Sequence, residues 1–196
     1  MSAVSDTLTA RRCAEVSRYE QVYRNPAYKL GDRRRGHITE HLARIPKGSL
    51  LDVSTGRGEV PGIARDLGHG PVRGTEAVGY LCDGETVYHA LAHDLPFPDD
   101  AFDTVTMFDV MEHLLPEDTC LVCEELRRVA RRRILLTVCN APYNFGGDGG
   151  DLHINRRISY DAWQEELKDH FAPWRVIRHG RQRSISEMFE VLSDAV

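Results

Sequence analysis

The pattern of apolar and polar positions changes character about a quarter of the way along the chain. Residues 7–24 and 33–45 read as two short helices around a break at Asn25-Pro26, where proline cannot donate a helical hydrogen bond. Beyond residue 48, short apolar runs alternate with helical periodicity. The pattern predicts strands over Ser49–Val53, Val72–Glu76, Thr86–Leu91, Phe102–Phe108 and Ile134–Val138. It predicts helices over Val60–Leu67, with Pro61 in the first turn, over Glu117–Arg131 and over Tyr160–His170. In the second of these, Leu121, Val122, Leu126 and Val129 recur at helical spacing, and Arg127, Arg128 and Arg131–Arg133 crowd its end. A glycine-rich loop at 146–150 precedes the last helix. Arg175–His179 and Glu187–Leu192 close the chain as a hairpin. Strands alternating with helices imply an α/β, doubly wound, mostly parallel sheet covered on both faces. The hairpin adds one antiparallel strand.

Composition narrows the class. The chain has 196 residues, 41% hydrophobic and 28% charged, enough for one core without disulfides or a structural metal. No apolar run approaches the length of a membrane span, and the first residues lack the apolar core of a signal peptide. Five cysteines without a dense framework suggest a reducing compartment, so the cytoplasm is expected. Cys120 and Cys123 form a lone C-x-x-C that reads as part of a helix. The net charge of −5 is unevenly placed: residues 1–48 carry ten Lys/Arg against five Asp/Glu. A basic arm ahead of an acidic body fits an anionic substrate or a nucleic-acid backbone, or simply a solvated helix face.

The segment LLDVSTGRGEVPGIAR is the most informative. A strand ends in Asp52, a loop of small residues follows, and a helix begins. Gly56 and Gly58 let backbone approach a ligand closely. Asp52 suits a cationic amino group. Eighteen residues after Gly58 the second strand ends in Glu76, an acid able to accept two hydrogen bonds from a ribose diol. Loop, spacing and acid together describe a site for an adenosine-containing ligand.

These residues, with HDLPFPDDAFDTVTMFDVMEHL and LLTVCNAPYN, resemble a class I S-adenosylmethionine-dependent methyltransferase from about Ser49 to the C-terminus. The resemblance implies a Rossmann-like seven-stranded sheet with the last strand antiparallel and the cofactor across the strand ends. The two leading helices read as a helical arm or substrate lid over 1–48, ahead of a methyltransferase domain over 49–196. Asp52, Ser54, Gly56, Gly58, Glu76, Asp94 and Phe108 are then the expected cofactor residues. Two positions depart from the pattern. Ser54 stands where glycine is usual, and Leu91 where an acid often meets the adenine, with Asp94 and the nearby amides of His93 and Asp94 as substitutes.

Asp109, Glu112 and His113 fall at i, i+3 and i+4, which on a helical turn is one face. The loop after the fifth strand can bring His153 to the same place. Two carboxylates and two imidazoles could hold magnesium or another divalent ion, which would lower the pKa of an acceptor hydroxyl. The set resembles an acid-x-x-Glu-His…His pattern of ubiquinone-biosynthesis O-methyltransferases and of small-RNA terminal 2′-O-methyltransferases. Without metal, Glu112, His113 and His153 remain candidates for catalysis, with an imidazole as general base. Structural roles are the third alternative. Tyr19, Tyr23, Tyr28 and Trp163 are candidate pocket aromatics. The expected function is methyl transfer to a hydroxyl oxygen of a small molecule. RNA or DNA methylation and a non-catalytic scaffold are the alternatives.

Overall fold

The computed structural model describes residues 3–143, 150–157, 159–180 and 186–193. Asn144 and the expected glycine-rich stretch, apart from Gly150, lie outside them. Two helices lead, α1 (Ala3–Arg24) and α2 (Asp32–Arg44). Then come β1 (Leu50–Val53), α3 (Glu59–Asp66), β2 (Val72–Glu76), β3 (Val87–His89), β4 (Phe102–Phe108), α4 (Thr119–Val129) and β5 (Ala130–Val138). The chain ends with α5 (Tyr160–Phe171), β6 (Arg175–Gly180) and β7 (Glu187–Leu192). All seven strands join one sheet in the order β3-β2-β1-β4-β5-β7-β6. The first five are parallel, and β7 runs antiparallel between β5 and β6. The expected Rossmann-like sheet, with its last strand antiparallel and a helical segment ahead of it, is what forms.

Strand alternation divides the core. Leu51, Val53, Val105, Met107, Ile134, Leu136 and Val138 face α4 and α5, where Val122, Leu126, Trp163 and Phe171 are buried. Leu50, Val72 and Leu135 face the other way, against Ile38 and Leu42 of α2 and Val60, Ile63 and Ala64 of α3. The central strands are buried on both faces, which is why they read as apolar runs rather than alternations.

Several local expectations are corrected. The helix expected over Glu117–Arg131 stops at Val129, and Ala130 already belongs to β5. Arg131–Arg133 therefore do not cap a helix. Arg131 reaches Asp103, and Arg133 reaches Glu190 on the neighbouring β7. Pairing with both neighbours extends β5 backward, Ala130 lying opposite Phe102 of β4 and Arg133 opposite Leu192 of β7, and three arginines in a row concealed that. Leu121 is exposed, because it lies on the outer side of α4. Trp163 is no pocket aromatic: it is fully buried in the core and donates its indole N–H to Asn140 Oδ1 at 2.8 Å.

That bond fixes the segment leaving β5. Trp163→Phe should cost about 1–3 kcal/mol, from lost volume and a weakened Asn140 anchor. Urea unfolding of the two proteins, compared at equal slope, measures it.

Candidate active site

An open parallel sheet leaves a crevice where neighbouring strands send their connections to opposite faces. Here that point lies between β1 and β4. A cavity of about 560 Å³ opens there, lined by Asp52, Ser54, Gly56 and Glu76 from the first two strand ends and by Phe108, Asp109, His113 and His153 from the later ones. Another wall comes from the N-terminal helices and the turn between them, through Tyr19, Tyr23, Tyr28 and Arg34.

The β1 loop turns by left-handed backbone. Ser54 has φ 59°, Gly56 57° and Gly58 75°. For serine this conformation costs roughly 1–2 kcal/mol, so Ser54 adopts the glycine geometry under strain. Gly56 permits a close approach: a Cβ there would stand 2.5 Å from the Tyr23 hydroxyl. Gly58 does not line the cavity; it caps α3 instead. Glu76 is buried, with Oε2 accepting from the Gly56 amide at 2.8 Å and Oε1 from the Val78 amide at 3.0 Å. Burial raises its pKa, opposed by those amides. The Thr106 hydroxyl donates to Asp52. Burial nevertheless pushes the Asp52 carboxyl up to about 7.

The wall after β3 differs from expectation. Leu91, Ala92 and His93 line the cavity, while Asp94 is exposed and outside its lining. The Asp94 amide donates to the Leu91 carbonyl at 3.0 Å, so neither its side chain nor its N–H is offered inward.

At the other end, Asp109 is not on a helical turn with Glu112 and His113. It sits at φ 55°, and a 3-10 turn begins only at Met111. A clasp holds this backbone: the Asp109 amide donates to Thr137 Oγ1 at 2.9 Å, and that hydroxyl donates back to the carboxylate at 2.8 Å. The other carboxylate oxygen pairs with Arg34 of α2 at 2.7 Å. Glu112 turns inward and is fully buried, accepting from the Cys139 amide at 3.0 Å. His113 and His153 do meet, with ring centroids 4.6 Å apart. Among the described residues the expected set of Asp109, Glu112, His113 and His153 does not converge as metal ligands. The group that does is Glu112, Cys139 and His153.

Both imidazoles have a defined tautomer. Nδ1 of His113 lies 3.0 Å from the Leu152 carbonyl, and Nδ1 of His153 faces the Ala141 carbonyl. A carbonyl only accepts, so each Nδ1 carries the proton and each Nε2 the lone pair. The Tyr19 hydroxyl also meets His113 Nδ1. Burial lowers the pKa of His113 to about 4 and lowers that of His153, so both rings are neutral at pH 7. Above them Tyr19, Tyr28, Tyr143, His153 and His113 follow one another at centroid distances of 4.6–6.5 Å and close a ring of aromatic faces.

Residues 51–136 match the family model described as a methyltransferase domain. The fold is a Rossmann-like methyltransferase fold. A 1,6-didemethyltoxoflavin-N1-methyltransferase from Burkholderia thailandensis, solved with its substrate and S-adenosylhomocysteine, aligns at TM-score 0.67 and 18% identity over 98% of this chain and 91% of its own. The PH0226 protein of Pyrococcus horikoshii OT3 aligns at TM-score 0.67 and 16% identity, over 86% and 93% respectively. A SAM-dependent methyltransferase from Aquifex aeolicus aligns at TM-score 0.59 and 18% identity, over 91% and 95%. No curated protein gives a significant match. The family model covers residues 51–136, and these solved structures share the fold. No helix among the described residues is long and apolar enough to cross a membrane.

Sequence reasoning missed Cys139, Arg34 as the partner of Asp109, and Tyr143. The signal for Cys139 was its place immediately after an apolar strand, where side chains reach the crevice. The clasp around Asp109 gives a direct test. Thr137→Val should cost about 1–3 kcal/mol by stranding buried polar groups, read as a lowered thermal midpoint at constant pH.

Proposed function

We propose that the protein is an S-adenosylmethionine-dependent methyltransferase acting on a hydroxyl oxygen of a small molecule held beneath the N-terminal helices. One observation carries the reading: a single cavity runs from the buried acid ending β2 to two neutral imidazoles beyond β4. The residues present fit the cofactor. Glu76 uses one lone pair on each oxygen for a backbone amide and keeps others for a ribose diol. The missing Cβ at Gly56 leaves room for close contact. Asp52, once ionised, faces an ammonium group. Leu91, Ala92 and Phe108 offer apolar contact to a flat base. When bound, the cofactor supplies an electrophilic methyl group on a sulfonium.

The chain does the rest. His113 accepts the acceptor's proton at Nε2, since its Nδ1 proton is tied to Leu152. The ring of aromatic faces positions a flat acceptor, and bringing reacting atoms into line is the main source of rate. Residues 1–48 serve as a lid that excludes water. Magnesium has no part in this reading, because among the described residues the four expected ligands do not converge. The nucleic-acid reading loses support from the arm's own arginines. Arg11 pairs with Glu117, Arg12 with Asp118, Arg34 with Asp109 and Arg35 with Glu59. That basic charge faces the protein's own acids rather than a phosphate backbone.

Calorimetric titration with S-adenosylhomocysteine tests the reading. One-to-one binding is expected, weakened by about 1–3 kcal/mol in Glu76→Ala through lost ribose hydrogen bonds. Absence of binding by folded protein would shift the assignment to a non-catalytic scaffold. Transfer to amines but never to phenols or alcohols would overturn the oxygen assignment.

The affinity should also depend on pH in a defined direction. The Asp52 carboxyl, pushed up to about 7 in the ligand-free protein, is protonated below that pH. An ammonium needs the carboxylate, so binding must expel the proton. Affinity should fall toward tenfold per unit below pH 7 and level off above about pH 8. Asp52→Asn should flatten that slope and weaken binding at pH 8.

A further inference from the structure

Behind His113, three side chains of unlike chemistry converge. Glu112, Cys139 and His153 each offer one ligand atom, all lying within 4.8 Å of one another. We propose that these three residues form a binding site for a borderline divalent cation, of which zinc is the best match, at the floor of the cavity.

The donor set selects the ion. A thiolate is a poor ligand for magnesium, whereas thiolate, imidazole and carboxylate together suit zinc. Ligands around a tetrahedral zinc stand about 3.5 Å apart, so side-chain movement of about an ångström closes the set. Three protein ligands leave such an ion one position for water or an acceptor atom. His153 lines the cavity, while Glu112 and Cys139 lie wholly buried behind it.

A second observation is independent of the clustering. Glu112 Oε1 accepts the Cys139 amide, but Oε2 is buried and has no hydrogen-bond partner. A carboxylate oxygen removed from water and left without a donor is costly. A cation would supply the missing partner. His153 is already set for ligation. Its Nδ1 faces the Ala141 carbonyl, the outer contact that metal-binding histidines make, which leaves the Nε2 lone pair for a cation. Charge is consistent as well. One thiolate and one carboxylate neutralise a dication, and the nearby Arg34 guanidinium is held by Asp109.

The site does not rest on the methyl-transfer reading, and its test separates the two. Full-length protein, stripped with a chelator and dialysed, is titrated with zinc chloride by calorimetry and with cobalt(II) by absorption spectroscopy. One equivalent of each should bind, the zinc form should melt at a higher temperature, and cobalt should give an intense thiolate charge-transfer band. Cys139→Ala should abolish that band, and Glu112→Gln and His153→Gln should each weaken zinc at least tenfold. His153 borders the cavity, so its variant preserves the test if the buried ones fail to fold. Circular dichroism checks folding, and S-adenosylhomocysteine titration of the same samples reads the cofactor site separately. No saturable binding, a cobalt spectrum without the thiolate band, or zinc affinity unchanged in the folded variants would overturn the proposal.

Discussion

The far end of the cavity is built around one buried carboxylate. Glu112 accepts the Cys139 amide at the end of β5, and its own carbonyl accepts the Asn155 amide at 2.9 Å. Asn155 in turn donates its side-chain amide to the Met111 carbonyl and to Thr119 Oγ1, both at 3.0 Å. The turn after β4, the end of β5, the start of α4 and the segment carrying His153 are thereby joined through two adjacent polar residues. The turn after β4 and the segment carrying His153 are neither strand nor long helix, so neither could hold its place by regular backbone pairing. A fully buried glutamate supplies the missing bonds, at the cost of desolvation that drives its pKa well upward. Both imidazoles sit on segments that this junction holds.

Charge ties both N-terminal helices to the body. Arg12 contacts both oxygens of the buried Asp118, and Arg34 crosses to Asp109. Backbone acceptors do the rest, with Arg18 reaching the Asp151 carbonyl at 3.0 Å and Tyr80 the Glu20 carbonyl at 2.9 Å. The basic arm and the acidic body are two halves of one internal interface. Apolar burial is concentrated in α2, whose Ile38 and Leu42 enter the core, whereas α1 contributes no residue to either core cluster. An element held by polar contacts opens at lower free energy than one held by core packing.

The strands and the β1 loop were legible because parallel sheets leave strong marks: apolar runs, a glycine turn, an acid at the next strand end. Glu76 and Asp52 were readable for the same reason, since their places follow from the ends of buried strands. The cluster after β4 was not. Spacing of i, i+3 and i+4 implies one face only if the backbone is helical, and Asp109 adopts a left-handed conformation that separates it from its neighbours. Cys139 and Tyr143 carry no periodic signal because they follow the last regular residue of β5. Asp94 lies outside the cavity lining, because the bridge between Leu91 and Asp94 turns the chain and leaves that side chain in solvent.

Burial and chemistry are the same fact at this site. The enclosure that lowers His113 to about 4 also keeps Asp52 near 7 and leaves Glu112 with an unpartnered oxygen. In water these groups would be ordinary acids and a half-protonated base. Here each is biased toward its neutral form until a charged partner arrives. A low-dielectric cavity of this kind disfavours solvent ions and rewards ligands that complete its polar groups. Ser54 and Asp109, both in left-handed backbone, border it from the carboxyl ends of the neighbouring strands β1 and β4. The strain they carry is local and is held in place by the sheet beneath them, where β1 and β4 are buried neighbours. The stable core thus fixes the geometry of the crevice, and the less regular segments around it determine what the crevice can bind.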